Sequence, residues 1–261
     1  MPKVTVDDIS LHYETSGSGP VLLLLHGLGS SGRDWEDQVA HFSSSYQVVT
    51  TDFRGHGQSD KPDEPYSIKG YAEDTAALIQ ELGLQEPTVV GISLGGMVGF
   101  QLAADHPDLI GKLVAVNAVP EFKVESLKLR VEVAIRRLLT RVVGMERIGE
   151  ILAGRLFPEE GMDEQRRKMV ERWSENAKKD YRNAFRAILR WPGAARAISA
   201  FDHPTLFVVS DEDYTSVESK TPYVDAMQNA EMIVIEDARH AVPVERRTQF
   251  NLVLEGFLKS G

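Results

Sequence analysis

The chain has 261 residues, 42% apolar and 26% charged, enough to bury roughly three quarters of its unfolded surface in one large core. A formal net charge of −10 argues against a general nucleic-acid binder, which needs a concentrated basic surface. With no cysteine, disulfides, thiolate catalysis and cysteine-ligated metals are excluded. The opening residues, Met1 to Asp8, lack the long apolar segment of a secretion signal, so a cytoplasmic protein is the default expectation. Lys3–Val6 and Leu11–Thr15 alternate polar and apolar, as two antiparallel strands joined by a turn at Asp7-Asp8 would. Ser16-Gly17-Ser18-Gly19-Pro20 breaks the pattern. Val21–Leu25 is a continuous aliphatic run, the mark of a strand covered on both faces and far too short to span a membrane. It leads into His26-Gly27-Leu28-Gly29. Gly32–Phe42 has helical spacing, with Trp35, Val39 and Phe42 on one side. Val48–Thr51 reads as another buried strand, followed by the polar loop Asp52-Phe53-Arg54-Gly55-His56-Gly57-Gln58-Ser59-Asp60. Ile68–Leu82 is helical and ends at Gly83.

Pro87 to Phe100 is the most informative stretch. Thr88-Val89-Val90 is a short apolar strand, Ser93 sits between Gly91 and Gly95, and a helix follows to about Asp105. Gly91-Ile92-Ser93-Leu94-Gly95 fits the G-x-S-x-G nucleophile elbow. A serine at the tip of a sharp strand-to-helix turn has an unfavourable backbone conformation, so its neighbours two residues away must be small. The helix N-terminus behind it presents N–H groups where negative charge would form. Leu113–Val116 is the next strand. Strands alternating with helices imply a parallel sheet with helices on both faces.

The rhythm breaks at Pro120. Residues 121–200 contain no convincing strand and read as an inserted helical cap, leaving 1–120 and 201–261 as the α/β core. The cap carries 18 Lys+Arg against 12 Asp+Glu, net +6, whereas the remainder carries 11 against 27, net −16. The α/β rhythm resumes with Thr205–Val209, which ends in Ser210-Asp211-Glu212-Asp213-Tyr214. A helix over Ser216–Met227, a strand over Met232–Ile235, the loop Glu236-Asp237-Ala238-Arg239-His240 and a helix over Val244–Leu258 complete the chain.

In open parallel sheets, ligands bind outside the carboxyl ends of the strands. His26, Asp52, Ser93, Asp213 and His240 all lie just past such ends, and Ser93, Asp213 and His240 follow in the order Ser, Asp, His. On these motifs the chain resembles the α/β-hydrolase superfamily, in particular its cap-bearing esterases, enol-lactonases and C–C bond hydrolases. The resemblance covers Leu11 to about Asn117 and Thr205 to the end, and it implies a mostly parallel eight-stranded sheet. It also implies roles: Ser93 as nucleophile, His240 as its base, Asp213 as the acid that orients His240, and the backbone N–H groups of Leu28 and Leu94 as the oxyanion hole. Asp211, two residues from Asp213, stays open as the acid, because Ser210 replaces the glycine that usually marks this loop. Asn117 stands at the family's other acid position and cannot serve. Serine at the elbow disfavours dehalogenation and epoxide hydrolysis, which use aspartate there.

His26, Asp52, Arg54 and His56 read as loop-fixing residues, and His12, His41, His106 and His203 as ordinary ones. No His/Asp/Glu cluster has metal-ligand spacing, so the expected site needs no metal and no cofactor. Leu28 and Leu94 are expected at the pocket entrance, and Leu138, Trp173, Phe185 and Trp191 as its walls. The leading expectation is hydrolysis of a carboxylic ester of small to medium acyl chain through an acyl-enzyme. An enol-lactonase or C–C bond hydrolase is the alternative, with cap arginines such as Arg136, Arg137 and Arg190 holding a carboxylate. The basic cap also admits an ester tethered to an acidic carrier protein, and the fold admits a ligand receptor that keeps the triad. The expected partner is a small-molecule ester, with no nucleic acid and no membrane span; a homodimer is allowed.

Overall fold

A computed structural model describes residues 2–6 and 8–260, apart from the Lys128 side chain. The turn expected at Asp7-Asp8 lies partly outside these residues, at Asp7. Eight strands form one sheet: β1 (Lys3–Val6), β2 (Ile9–Ser16), β3 (Val21–Leu25), β4 (Gln47–Thr51), β5 (Thr88–Ile92), β6 (Lys112–Val116), β7 (Thr205–Ser210) and β8 (Ala230–Ile235). Their spatial order is β1-β2-β4-β3-β5-β6-β7-β8. β1 pairs antiparallel with β2, and β2 with β4; every other pairing is parallel.

The period of two along each strand sorts the core into two layers. Leu23, Leu25, Val89, Leu113 and Phe207 face one layer. Leu22, Leu24, Val90, Val114 and Leu206 face the other. Helices α2 (Ile68–Glu81) and α3 (Leu94–Asp105) contribute to the first layer, and Phe42 of α1 (Glu36–Phe42) to the second. The central strands are apolar on both sides because both sides are covered. Helix α2 starts where Ser67 Oγ accepts the Gly70 N–H at 2.9 Å, a side-chain N-cap.

Between β6 and β7 the chain is helical: α4 (Leu127–Val142), α5 (Met145–Leu156), α6 (Asp163–Ser174), α7 (Lys178–Arg190) and α8 (Ala195–Ile198). Among the described residues this segment contains no strand. Polar contacts fasten it to the sheet layers. Arg172 pairs with Asp34 at 2.9 Å, Tyr66 donates to Asp180 at 3.1 Å, and Trp191 Nε1–H donates to Gln101 at 2.7 Å.

Three expected helices differ in extent. Gly32–Trp35 forms a tighter 3₁₀ turn before α1, with the Gly32 N–H held by Asp52 at 2.7 Å. Of the helix expected over Ser216–Met227, only α9 (Thr221–Asp225) forms. Pro222 lacks an N–H and its ring would strike the preceding turn, so a helix can begin there but cannot run through it. The C-terminal helix is divided into α10 (Val242–Glu245) and α11 (Arg247–Lys259). Arg246 leaves the helical region there, and its guanidinium binds Glu159 and the Asp237 carbonyl.

Candidate active site

Ser93 lies between β5 and α3 with φ 55° and ψ −112°, in the strained left-handed half of the backbone map. Its neighbours explain how the turn is tolerated. A Cβ on Gly91 would stand 2.3 Å from the Gly95 carbonyl, and a Cβ on Gly95 would stand 2.2 Å from the Leu25 carbonyl oxygen. Both positions therefore exclude any side chain. The Ser93 N–H donates to Val116 at 2.9 Å, which ties the tip of the turn to the end of β6. Ser93 is the N-cap residue of α3, yet its hydroxyl caps no helix amide and is left for the cavity it lines.

Asp213 and His240 reach the same cavity from the loops after β7 and β8. His240 Nδ1 meets Asp213 Oδ1 at 2.5 Å, which leaves Nε2 as the ring nitrogen not held by Asp213. The other carboxylate oxygen accepts from the Thr215 hydroxyl at 2.7 Å and from Lys220 Nζ at 3.1 Å. Burial alone would raise the Asp213 pKa. The charge and hydrogen bond of His240, together with Lys220 and Thr215, outweigh it and hold the carboxyl well below the usual carboxylate range.

Asp211, the competing acid, is occupied elsewhere. Its two oxygens accept the Ala238 and Asp237 N–H groups, each at 3.1 Å, and these bonds keep its carboxyl below the usual range. Asp211 thus shapes the loop that carries His240 without touching the imidazole. Glu212 turns to Arg239 at 2.8 Å. Asn117, unfit as an acid, is a bracket instead. Its amide donates to Ser210 Oγ at 2.8 Å and to the His240 carbonyl at 3.0 Å, and its oxygen accepts the Ser210 N–H at 2.9 Å.

Lys220 is the residue sequence reasoning missed. It is fully buried, and besides Asp213 its ammonium donates to the Thr215 carbonyl at 2.7 Å and the Thr215 hydroxyl at 2.8 Å. Burial pulls its pKa below the ordinary lysine value, against the pull of Asp213. Nothing in the sequence separates it from the other lysines; its one signal is its position seven residues after Asp213, just before Pro222.

The turn after β3 lies against Ser93: a Cβ on Gly27 would come 3.8 Å from the Ser93 Cβ. Among the described residues the Leu28 and Leu94 backbone N–H groups have no acceptor. His26 fastens this turn from beneath. Its Nδ1 contacts the Gly27 carbonyl at 2.7 Å and its Nε2 accepts the Phe53 N–H at 3.0 Å. Burial lowers its pKa despite Asp52, so the ring stays neutral and structural. His56, also buried, is pushed down to about 3 by burial and by His26. Asp52 accepts the Gly32 and Gln58 N–H groups at 2.7 and 2.8 Å, and Arg54 grips Asp74 with two bonds. These four residues hold loops together.

The cavity has a volume of about 290 Å³. Met97, Phe122, Leu129, Val133, Leu152 and Ile188 give it an apolar wall, and Trp173 and Phe185 also line it. Three expectations require correction. Leu138 does not line the cavity: α4 turns Leu129, Val133, Arg136 and Leu139 inward, and Leu138 lies on the opposite, exposed face. Trp191 is buried against Gln101, outside the cavity lining. The Leu94 side chain is fully buried in the core and does not stand at the entrance. Of the three arginines singled out, Arg136 lines the cavity, whereas Arg137 and Arg190 are exposed outside it. Among the described residues no group of three or more His, Asp or Glu side chains has the geometry of a metal site.

Comparison with known proteins adds an independent line. A family model described as the alpha/beta hydrolase fold matches residues 20–246. The chain is 27% identical over 264 residues to 3-oxoadipate enol-lactonase 2 of Acinetobacter baylyi, covering 98% of this chain and 96% of that protein. It is 36% identical over 125 residues to 2-(acetamidomethylene)succinate hydrolase of Mesorhizobium japonicum, 48% of this chain and 45% of that protein. Other local matches are shorter: 114 residues at 39% identity to an uncharacterised protein of Mycobacterium tuberculosis span 33% of its length. The crystal structure of an enol-lactonase from Burkholderia xenovorans superposes with a TM-score of 0.87 at 24% identity, covering 99% of this chain and 100% of that one; at that identity it speaks for the fold alone.

Proposed function

The chain belongs to the alpha/beta-hydrolase fold family, and on that premise we propose that it is a serine hydrolase cleaving carboxylic esters of small to medium acyl chain. The observation that carries the reading is one cavity lined by Ser93 on its strained elbow and by the Asp213–His240 pair at 2.5 Å. In this mechanism His240 Nε2 takes the Ser93 proton as Oγ attacks the ester carbonyl. Asp213 holds Nδ1–H and stabilises the imidazolium. The Leu28 and Leu94 N–H groups receive the developing oxyanion, each worth about 10²–10³ in turnover. His240 then protonates the leaving alcohol, and water, deprotonated by the same ring, releases the acid from Ser93. Residues 121–200 act as the cap over a core of 1–120 and 201–261, so α4 to α8 set which acyl group fits. Steady turnover of p-nitrophenyl butyrate, lost in Ser93→Ala by about 10⁶-fold, is the expected result. An intact protein without turnover on short or medium esters overturns it.

One observation favours a second reading, an enol-lactone or related substrate that bears a carboxylate. Arg136 lines the cavity with its guanidinium 5.6 Å from the centre of the Phe185 ring. Among the described residues it has no carboxylate partner, unlike Arg155, which pairs with Glu132 at 3.1 Å. A guanidinium stacked on an aromatic ring and without a carboxylate partner suits bidentate carboxylate binding. Higher kcat/KM for an ester of a dicarboxylic acid than for its neutral analogue, with that preference erased in Arg136→Gln, would support this reading. Equal kcat/KM values in the wild type would remove it.

A further inference from the structure

Helix α4 has two apolar faces, and only one is covered. Leu129, Val133 and Leu139 turn toward the cavity. On the opposite side Leu127, Val131, Leu138 and Val142, four or seven residues apart, form one stripe along the helix, each between 48% and 77% exposed, and Ile135 stands at its edge, where the stripe meets the cavity lining. A contiguous apolar stripe of this length is rare on a lone soluble protein and marks a surface that meets something. Its charge context says what. Arg130, Arg137 and Arg141 are exposed and lie together along one flank of the stripe. Among the described residues none of the three pairs with a carboxylate; the Arg130 Nε–H reaches only the Val124 carbonyl, at 3.4 Å. The helical segment around them, residues 121–200, is net +6 on a body that is net −16.

We infer that the outer face of α4 is a docking surface for an anionic lipid bilayer. Apolar side chains flanked by a row of arginines match acyl chains beneath acidic headgroups. The charge division fixes the orientation, because docking through α4 brings the positive part of the molecule to the surface and keeps the acidic body away from it. A second copy of the chain fits less well. Two α4 helices packed antiparallel through the stripe would set one arginine row against the other, and such like-charge contact is costly. The same helix walls the cavity, so docking places the site within one helix diameter of the bilayer.

Sedimentation of the full chain with vesicles of phosphatidylcholine and phosphatidylglycerol, against vesicles of phosphatidylcholine alone, tests this. The anionic vesicles are expected to bind the protein, and binding is expected to weaken with added salt. Each of Arg130→Gln, Arg137→Gln and Arg141→Gln should lower the partition coefficient about five-fold, and the triple variant about a hundred-fold. Leu127→Ser with Leu138→Ser should abolish binding at an unchanged Tm. Failure of the wild type to bind anionic vesicles at low salt overturns the inference, as does equal binding to neutral ones. A dimer seen by light scattering and dispersed by the two serine substitutions, without vesicle binding, overturns it in favour of self-association.

Discussion

Lys220→Met removes an ammonium and keeps an apolar stem of similar length in a fully buried site. Lys220 Nζ lies 3.1 Å from Asp213 Oδ2 and 2.7 and 2.8 Å from two Thr215 oxygens. The variant leaves a carboxylate buried with one charge partner fewer. Breaking a buried pair from one side costs about 3–5 kcal/mol. His240 and Thr215 still serve Asp213, so the expected loss is at the lower end, about 3 kcal/mol, or roughly 6–12 °C in Tm for a domain of this size. The pH dependence identifies the cause. The Asp213 carboxyl is held below its ordinary value, so its stabilisation is complete above an unfolded pKa of about 3.9 and is lost as pH falls through the folded pKa. Methionine raises that folded pKa. The difference between wild type and variant should then be constant from about pH 7 to about pH 4 and shrink only as pH falls through the variant's raised pKa, toward about pH 2.5. Urea unfolding at about pH 7 and about pH 2.5 measures it, and turnover should fall about ten- to a hundred-fold as the imidazole loses its fixed partner. A stability difference equal at both pH values would mean that Lys220 is only a spacer, and no difference at pH 7 would refute the electrostatic argument outright.

Three further substitutions separate the candidate acids and probe the elbow. Asp213→Asn should lower kcat about 10⁴-fold by imposing the wrong histidine tautomer. Asp211→Asn should keep kcat within a few-fold and cost about 1 kcal/mol through a lost backbone bond; urea unfolding and ester turnover on both variants check this, and a comparable collapse of kcat in Asp211→Asn would reverse the assignment. Gly95→Ala puts a Cβ 2.2 Å from the Leu25 carbonyl oxygen, an approach no rotamer relieves. It should destabilise by about 3 kcal/mol or more and yield little folded protein; wild-type solubility and Tm would refute the steric argument.

The order of strands and helices, the parallel sheet and the elbow at Ser93 were legible in the sequence. They rest on short-range rules: continuous aliphatic runs for strands covered on both faces, helical spacing, and glycines where a side chain cannot fit. The three loops that end in Ser93, Asp213 and His240 were legible for the same reason, since each follows a readable strand. The tertiary structure decided what depends on contacts between loops. Asp213 and Asp211 are two residues apart in like surroundings, and only the fold directs one to the imidazole and the other to backbone amides. Lys220 gains its place from burial that no local pattern announces, and Asn117 from joining three strand ends. The faces of α4 were ambiguous, because the helix is apolar on two sides and periodicity cannot tell which one meets the cavity. Packing turned Arg136 inward and Leu138 outward.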